Sequence, residues 1–290
     1  MLVTDGGGVY VDATLGMGGH ASSLLEALEP RGRVIGLDCD PDAVARAAAG
    51  PPAPEPRFTA RRARFSEIEE TLQGLAAGPV DGLLADLGLS SAQLDDPARG
   101  LSFRAEGPLD MRLDPSRPLT ADEFIRRSGD AALLRILAEY GEVPRPRAVL
   151  AAIRRAAEAH RPLTTGALRG ALAPLFPGPA RPRRLAQVFQ ALRVAVNEEL
   201  TELSALLDAA PRVVKPGGTL CVISYHSLED RLVKHAIRPP RPLDAREPVR
   251  ESPWIPLTRQ PIRPGEPECR ANPRARSALL RAARRREERP

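Results

Sequence analysis

VYVDATLGMGGHASSLLEALEPRGRVIGLD, residues 9–38, is the stretch whose reading decides the fold. Val9-Tyr10-Val11 is a short run of strand formers that ends on Asp12, and the residues from Ala13 to Gly19 are small and turn-forming. From about Ala21 to Leu28 the apolar residues fall at helical spacing, and Arg33 to Leu37 reads as a second buried strand that closes on Asp38. Glycines placed directly after a strand let the backbone approach a ligand closely. The start of the following helix offers free N–H groups, and an acid at the end of the second strand reaches the hydroxyls of a ribose. Gly16, Gly18, Gly19 and Asp38 occupy those positions.

Outward from this unit, Pro41 to Ala49 reads as a helix, the Pro-rich 51–56 as a surface loop, and Arg57 to Arg64 as a third, poorly apolar strand. Val80 to Ala85 gives a clearer fourth strand ending on Asp86. Much later a turn over Val213 to Gly218 precedes another buried strand, Thr219 to Ser224, with a helix starting near Leu228. Strands alternating with helices imply an α/β, Rossmann-like architecture with a doubly wound, mainly parallel sheet. The region 105–200 is helical in pattern instead. Thr120 with Glu123 forms a capping box, and Leu185, Val188, Phe189, Leu192, Val196, Leu200, Leu203 and Leu207 recur every three or four residues. The organisation expected is a sheet domain in two parts, 1–104 and 201–290, interrupted by an inserted helical subdomain at 105–200. Beyond 238 proline and arginine dominate, so irregular chain is expected up to a short helix near Ser277 to Arg286.

With 290 residues, 42% of them hydrophobic, the chain can bury one large core or a core domain carrying a smaller one. No run approaches the roughly 18 apolar residues of a membrane helix, and the N-terminus lacks the basic and apolar segments of a signal peptide, so a soluble cytoplasmic protein with no membrane partner is expected. Cys39, Cys221 and Cys269 are scattered and form no C-x-x-C pair, which argues against a disulfide framework or a thiolate metal site. No metal is predicted, and nothing sets an oligomeric state. The net charge of +5 is concentrated at the end of the chain, where residues 270–290 hold eight arginines against Glu287 and Glu288. Such a cluster suits contact with a polyanion such as RNA, although a chain with this bias toward arginine over lysine acquires solvated Arg clusters without function. With only 3% aromatic residues there is no broad base-stacking platform, so RNA recognition would rest on phosphate contacts and a pocket for one extruded base.

Gly16-Met17-Gly18-Gly19-His20-Ala21 also satisfies G-x-G-x-x-A, so a nicotinamide-dependent dehydrogenase is an alternative on the same fold. Against it, the fourth strand runs into Asp86-Leu87-Gly88-Leu89-Ser90-Ser91, an acidic strand end of the kind that faces both methyl donor and target amine in amino methyltransferases. The turn Lys215-Pro216-Gly217-Gly218 fits a methyltransferase sheet as well.

At these residues the chain resembles the bacterial methyltransferases that modify the N4 amine of a cytidine in the decoding region of 16S ribosomal RNA. The runs that carry the resemblance are DATLGMGGH (12–20), GLLADLGLSSAQLDDPARGLSF (82–103), GPLDMRLDP (107–115), FQALRVAVNEEL (189–200), SYHSLEDRLVKHAI (224–237) and NPRARSALLR (272–281). They cover most of the chain in order. The resemblance implies a class I methyltransferase using S-adenosyl-L-methionine, with Gly18, Gly19 and His20 at the nucleotide loop and Asp38 on the ribose. It also implies adenine contacts near Phe65, further cofactor contacts by Asp86 and Gln93, and 16S ribosomal RNA, within the small ribosomal subunit, as partner. The helical insertion is implied to help recognise RNA. The chain departs from the pattern in having only eight residues before Val9, where the family usually carries a His-x-Pro-Val run. It departs again in Tyr225, where the family tends to have phenylalanine, and at Pro144 to Arg147 and Pro182 to Gln187.

Asp86 is the candidate catalytic residue. A cytosine N4 lone pair is delocalised into the ring, so methyl transfer needs an acceptor for the amine hydrogens and alignment of the two reactants; cofactor binding alone is an equally weighted role for this carboxylate. His226 and Glu229 would line the target pocket, unless His226 only caps the helix from Leu228. Asn197, polar in an apolar helix, reads as a hydrogen-bonding group, His20 as a loop residue near the cofactor, and His160 and His235 as solvated. Tyr10 and Phe65, taken without the resemblance, are core aromatics. A non-catalytic RNA-binding assembly factor that keeps the cofactor site remains a third reading.

Overall fold

The computed structural model describes residues 1–50, 52, 56–240 and 251–287. The expected loop at 51–56 therefore falls largely outside the described residues. The chain folds as two compact units, Met1–Gly88 with Leu200–Pro290, and Leu89–Glu199.

The first unit is a seven-stranded sheet in the order β3-β2-β1-β4-β5-β7-β6. In chain order it contains β1 (Val9–Asp12), α1 (Gly19–Ala27), β2 (Arg33–Asp38), α2 (Pro41–Ala49), β3 (Phe58–Arg62), α3 (Ile68–Gly74) and β4 (Val80–Asp86). Strands β1 and β2 pair in parallel with Val11 opposite Ile35, and β1 and β4 with Val11 opposite Leu83. The order therefore reverses between β1 and its two neighbours, and the crevice beyond the carboxyl ends of β1 and β4 is where such sheets bind ligands. Alternation along the strands divides the core in two. Val11, Ile35, Leu83 and Val222 belong to one apolar cluster, while Tyr10 and Val34 join Leu24, Leu25 and Leu28 of α1 in another. Tyr10 is a core aromatic whose hydroxyl accepts from the N–H groups of Thr4 and Asp5 and donates to the carbonyl of Asp5.

The second unit holds α4 (Ser91–Asp95), α5 (Ala121–Arg127), α6 (Asp130–Glu139), α7 (Pro146–Ala159), α8 (Thr165–Leu172) and α9 (Arg181–Asn197) around its own apolar core. The capping box at Thr120 and Glu123 starts α5. Leu185, Val188, Phe189, Leu192 and Val196 all face this core from α9. The periodic run is not one helix, however. It breaks at Glu198, which takes a left-handed conformation (φ 55°), and Leu203 and Leu207 belong to the next helix and to the sheet core.

That helix, α10 (Glu199–Val213), leads into β5 (Val214–Ser224), α11 (Ser227–Ile237), β6 (Trp254–Pro256), α12 (Glu266–Ala271) and β7 (Leu279–Arg285). β5 is parallel to β4, with Leu84 opposite Cys221, whereas β7 runs antiparallel to both β5 and β6. The short helix expected near Ser277 to Arg286 is thus a strand. Leu279-Leu280-Arg281-Ala282-Ala283 has helical propensity, but Ala282 and Ala283 are fully buried inside the sheet, and tertiary pairing overrides the local preference. Part of the arginine-rich tail is spent on this packing. Arg281 makes two hydrogen bonds to the Asp230 carboxylate (2.7 and 2.9 Å), Arg285 donates to the Val214 carbonyl, and Arg286 donates to the Ser252 carbonyl.

Candidate active site

The loop after β1 crosses the carboxyl ends of the neighbouring strands. The N–H of Ala13 donates to the Leu84 carbonyl of β4, and that of Leu15 to the Leu37 carbonyl of β2. Gly16 and Gly18 have φ of 50° and 78°, so only glycine turns the chain here without strain. Gly18 caps α1 with no side chain, and among the described residues a Cβ on Gly19 would meet nothing within 4 Å, so the chain leaves room beside the start of α1.

Three carboxylates gather around this loop. Asp38 is held by the loop itself, its Oδ2 accepting from Gly16 N (2.9 Å) and its Oδ1 from Asp40 N (2.9 Å). Burial raises its pKa above the usual carboxylate value, against the pull of those two donors. Asp12 is fully buried; its Oδ1 accepts from Thr14 N (3.1 Å), while its Oδ2 is buried with no hydrogen-bond partner among the described residues. Burial pushes the Asp12 carboxyl up to about 6, with His20 pulling the other way. Asp86 closes β4, and its backbone N–H donates to Thr14 Oγ1 (2.6 Å), which ties the strand end to the glycine loop.

Both oxygens of Asp86 are engaged. Oδ2 lies 3.1 Å from His20 Nε2, and Oδ1 accepts from the Tyr225 hydroxyl at 2.9 Å. The hydrogen bond to Asp86 raises the His20 pKa, which favours an imidazolium–carboxylate pair, and burial opposes it. Burial and the adjacent Asp86 charge push the Tyr225 phenol up, so it stays a donor. Tyr225 is itself fixed at the end of β5: Glu229, 3% exposed, accepts from its backbone N–H at 2.8 Å, and a Cβ on Gly88 would stand 3.2 Å from the Tyr225 ring. His226 is the N-cap of α11 and shares a capping box with Glu229, with its Nε2 3.0 Å from Glu229 Oε1.

Of the residues named from sequence, Gly18, Gly19, His20, Asp38 and Asp86 converge on the carboxyl ends of β1, β2 and β4. Phe65 follows β3 at the start of a 3-10 turn, half-buried against the sheet core, and the next residue, Ser66, is fixed by hydrogen bonds to Glu202. Gln93 belongs to the helical unit, where it closes a capping box with Ser90. Asn197 is a packing group of the same unit. Its side chain donates to the carbonyls of Met111 (2.7 Å) and Arg193 (2.9 Å) and accepts from Leu113 N (2.8 Å). Asp12, Thr14 and Tyr225 were not named as site residues. The only sequence signal for them was the acid at the end of the first strand and the tyrosine in place of the family's phenylalanine.

The profile of the MraW methylase family matches residues 1–286. The chain belongs to the MraW methylase family. A methylase is thereby distinguished from the dehydrogenase that the G-x-G-x-x-A pattern alone allowed. Relatives named ribosomal RNA small subunit methyltransferase H include one from Sorangium cellulosum (strain So ce56), 52% identical over 96% of this chain and 85% of its own. Another, from Leptothrix cholodnii (strain ATCC 51168 / LMG 8142 / SP-6), is 45% identical over 98% of this chain and 89% of its own. Among solved structures, the chain aligns over 98% of its length, and 68% of that chain, with Aeropyrum pernix fibrillarin in complex with natively bound S-adenosyl-L-methionine (10% identity, TM-score 0.44). Among the described residues no helix of the methylase is long and apolar enough to cross a membrane.

Proposed function

We propose that this methylase uses S-adenosyl-L-methionine to methylate the N4 amine of a cytidine in the decoding region of 16S ribosomal RNA, with the small ribosomal subunit as substrate. The observation that carries the reading is the Asp86 carboxylate, held between His20 and Tyr225 beside an open glycine loop and a buried acid, Asp12, with one oxygen lacking a donor among the described residues. The donor set suits this cofactor, whose sulfonium and ammonium are cations and whose ribose offers two hydroxyls. Asp12 Oδ2 is a buried acceptor lacking a donor, and Asp38 sits where a ribose carboxylate belongs. Gly18 and Gly19 leave the loop open, and His20, Asp38, Phe65 and Asp86 would complete the cofactor contacts.

When bound, S-adenosyl-L-methionine supplies the electrophilic methyl group. The residues of the chain do the rest. An Asp86 oxygen accepts a hydrogen bond from the exocyclic amine and draws its lone pair out of conjugation with the ring. The Tyr225 hydroxyl and the His20 imidazole keep that carboxylate from rotating, so the amine is presented in one orientation. The proton that the nitrogen sheds passes to an Asp86 oxygen, beside which the His20 ring offers a second basic site once neutral. Family membership and the relatives' names support the ribosomal RNA substrate.

The test is transfer of labelled methyl from S-adenosyl-L-methionine to small ribosomal subunits lacking the modification, followed by nucleoside analysis, for the wild type and Asp86→Ala. N4-methylcytidine formed by the wild type and lost in the variant supports the reading. A different methylated nucleoside, or tight cofactor binding with no transfer, overturns it, the second outcome in favour of a binding-only assembly factor.

A further inference from the structure

Beside Tyr225 the sheet unit carries an open groove of about 560 Å³, bounded by α11 and by Leu279 at the start of β7. The exposed face of α11 lines it with Ser227, Arg231, Lys234 and His235. Arg231 lies four residues after Ser227, and Lys234 and His235 lie three and four after Arg231, so they form a single stripe along the helix. The side chains of Arg231, Lys234 and His235 make no hydrogen bond or ion pair among the described residues, unlike those of Arg281, Arg285 and Arg286. The acids nearby leave the stripe positive. Asp230 is neutralised by two hydrogen bonds from Arg281, and Glu229 is buried and committed to the backbone of Tyr225 and His226. Exposed Glu268 acts on Tyr225 at one end.

We propose that this groove binds the phosphodiester backbone of the substrate RNA next to the target nucleotide, with Arg231 and Lys234 each pairing with a phosphate. The inference rests on the RNA reading of the active site and extends it to a surface. Tyr225 lines the groove and its hydroxyl donates to the candidate catalytic carboxylate, so the groove and the site share a residue. A chain with so few aromatic residues holds RNA by charge, and unpaired cations release counterions on binding, whereas paired ones do not. The arginines of the tail that were expected to make this contact from composition include Arg281, Arg285 and Arg286, which are occupied inside the fold. The stripe on α11 offers cations that are not.

The experiment uses the full chain, with small ribosomal subunits lacking the modification as probe, and compares the wild type with Arg231→Ala/Lys234→Ala and with the charge-preserving Arg231→Lys/Lys234→Arg. Both changes lie on an exposed helix face, and thermal unfolding checks that each variant folds. The alanine variant is expected to raise KM for the subunits roughly tenfold, with kcat and cofactor affinity unchanged. The slope of log KM against log salt is expected to flatten by about 1.4, the loss of two contacts to single-stranded phosphates. The charge-preserving variant is expected to recover most of the KM. A wild type that methylates the subunits and an alanine variant with unchanged KM and slope would overturn the groove and leave the RNA reading intact. A wild type that transfers no methyl group to the subunits would overturn the RNA reading, and the groove with it.

Discussion

Asp12→Asn should gain stability relative to the wild type, without ligand, as pH rises from about 4 to 8. The carboxyl is 0% exposed, and its pKa is pushed from 3.8 up to about 6 by burial. A carboxyl with a raised folded pKa favours the folded state while it is protonated and costs stability once it ionises. The penalty is therefore absent below the unfolded value, grows as pH rises, and is complete above about pH 6. A shift from 3.8 to about 6 corresponds to about 3 kcal/mol at full ionisation, and roughly half of that remains at pH 5. Asparagine can keep the acceptor that Thr14 uses and carries no charge. It adds a buried N–H₂ where Asp12 has its unpartnered Oδ2, at a pH-independent cost of about 1–3 kcal/mol. The clean quantity is accordingly the change with pH in the stability difference between variant and wild type. Urea unfolding at several pH values between about 4 and 8 should show that difference moving by about 2–3 kcal/mol in favour of the variant as pH rises. A difference that stays flat across the range would refute the claim that burial raises the Asp12 carboxyl.

The same ionisation should govern ligand binding: calorimetric affinity for S-adenosyl-L-methionine is expected to strengthen between about pH 5 and 7 in the wild type and to lose that dependence in Asp12→Asn. Tyr225→Phe should lower kcat roughly tenfold with little change in cofactor affinity, because it removes one hydrogen bond to a charged carboxylate. Steady-state methyl transfer with a pH profile checks it, and an unchanged kcat would count against Asp86 needing a fixed orientation. Asn197→Ala should destabilise the helical unit by about 2–3 kcal/mol, read by denaturation, since it strands the Leu113 N–H and the Met111 carbonyl. Gly100→Ala should cost about 2 kcal/mol or more, as its φ is 64° and a Cβ would stand 2.1 Å from the Pro108 carbonyl oxygen.

The strands that face the site were legible because each has a local signature, a short apolar run ending in an acid, and three such runs gave Asp12, Asp38 and Asp86 their places. What escaped is what depends on distant chain. The hydrogen bond from Tyr225 to Asp86 joins residues 139 apart, and no local pattern encodes it. The depth of Asp12 depends on the neighbouring strands and on the loop that covers them. Strand β7 was read as helix because alanine and arginine favour helix wherever nothing competes, and β5 and β6 compete. The break at Glu198 carries neither glycine nor proline, so the apolar period runs through it unchanged while the chain passes from one core to another.

The last strand of the sheet is an interior one. β7 is drawn from residues 279–285, yet it lies between β5 and β6, and through it β6 joins the sheet. During synthesis β4 and β5 can pair while an open row of β5 backbone groups still waits for a partner. A chain interrupted anywhere before Leu279 keeps that row exposed for good, as a template for pairing with another molecule.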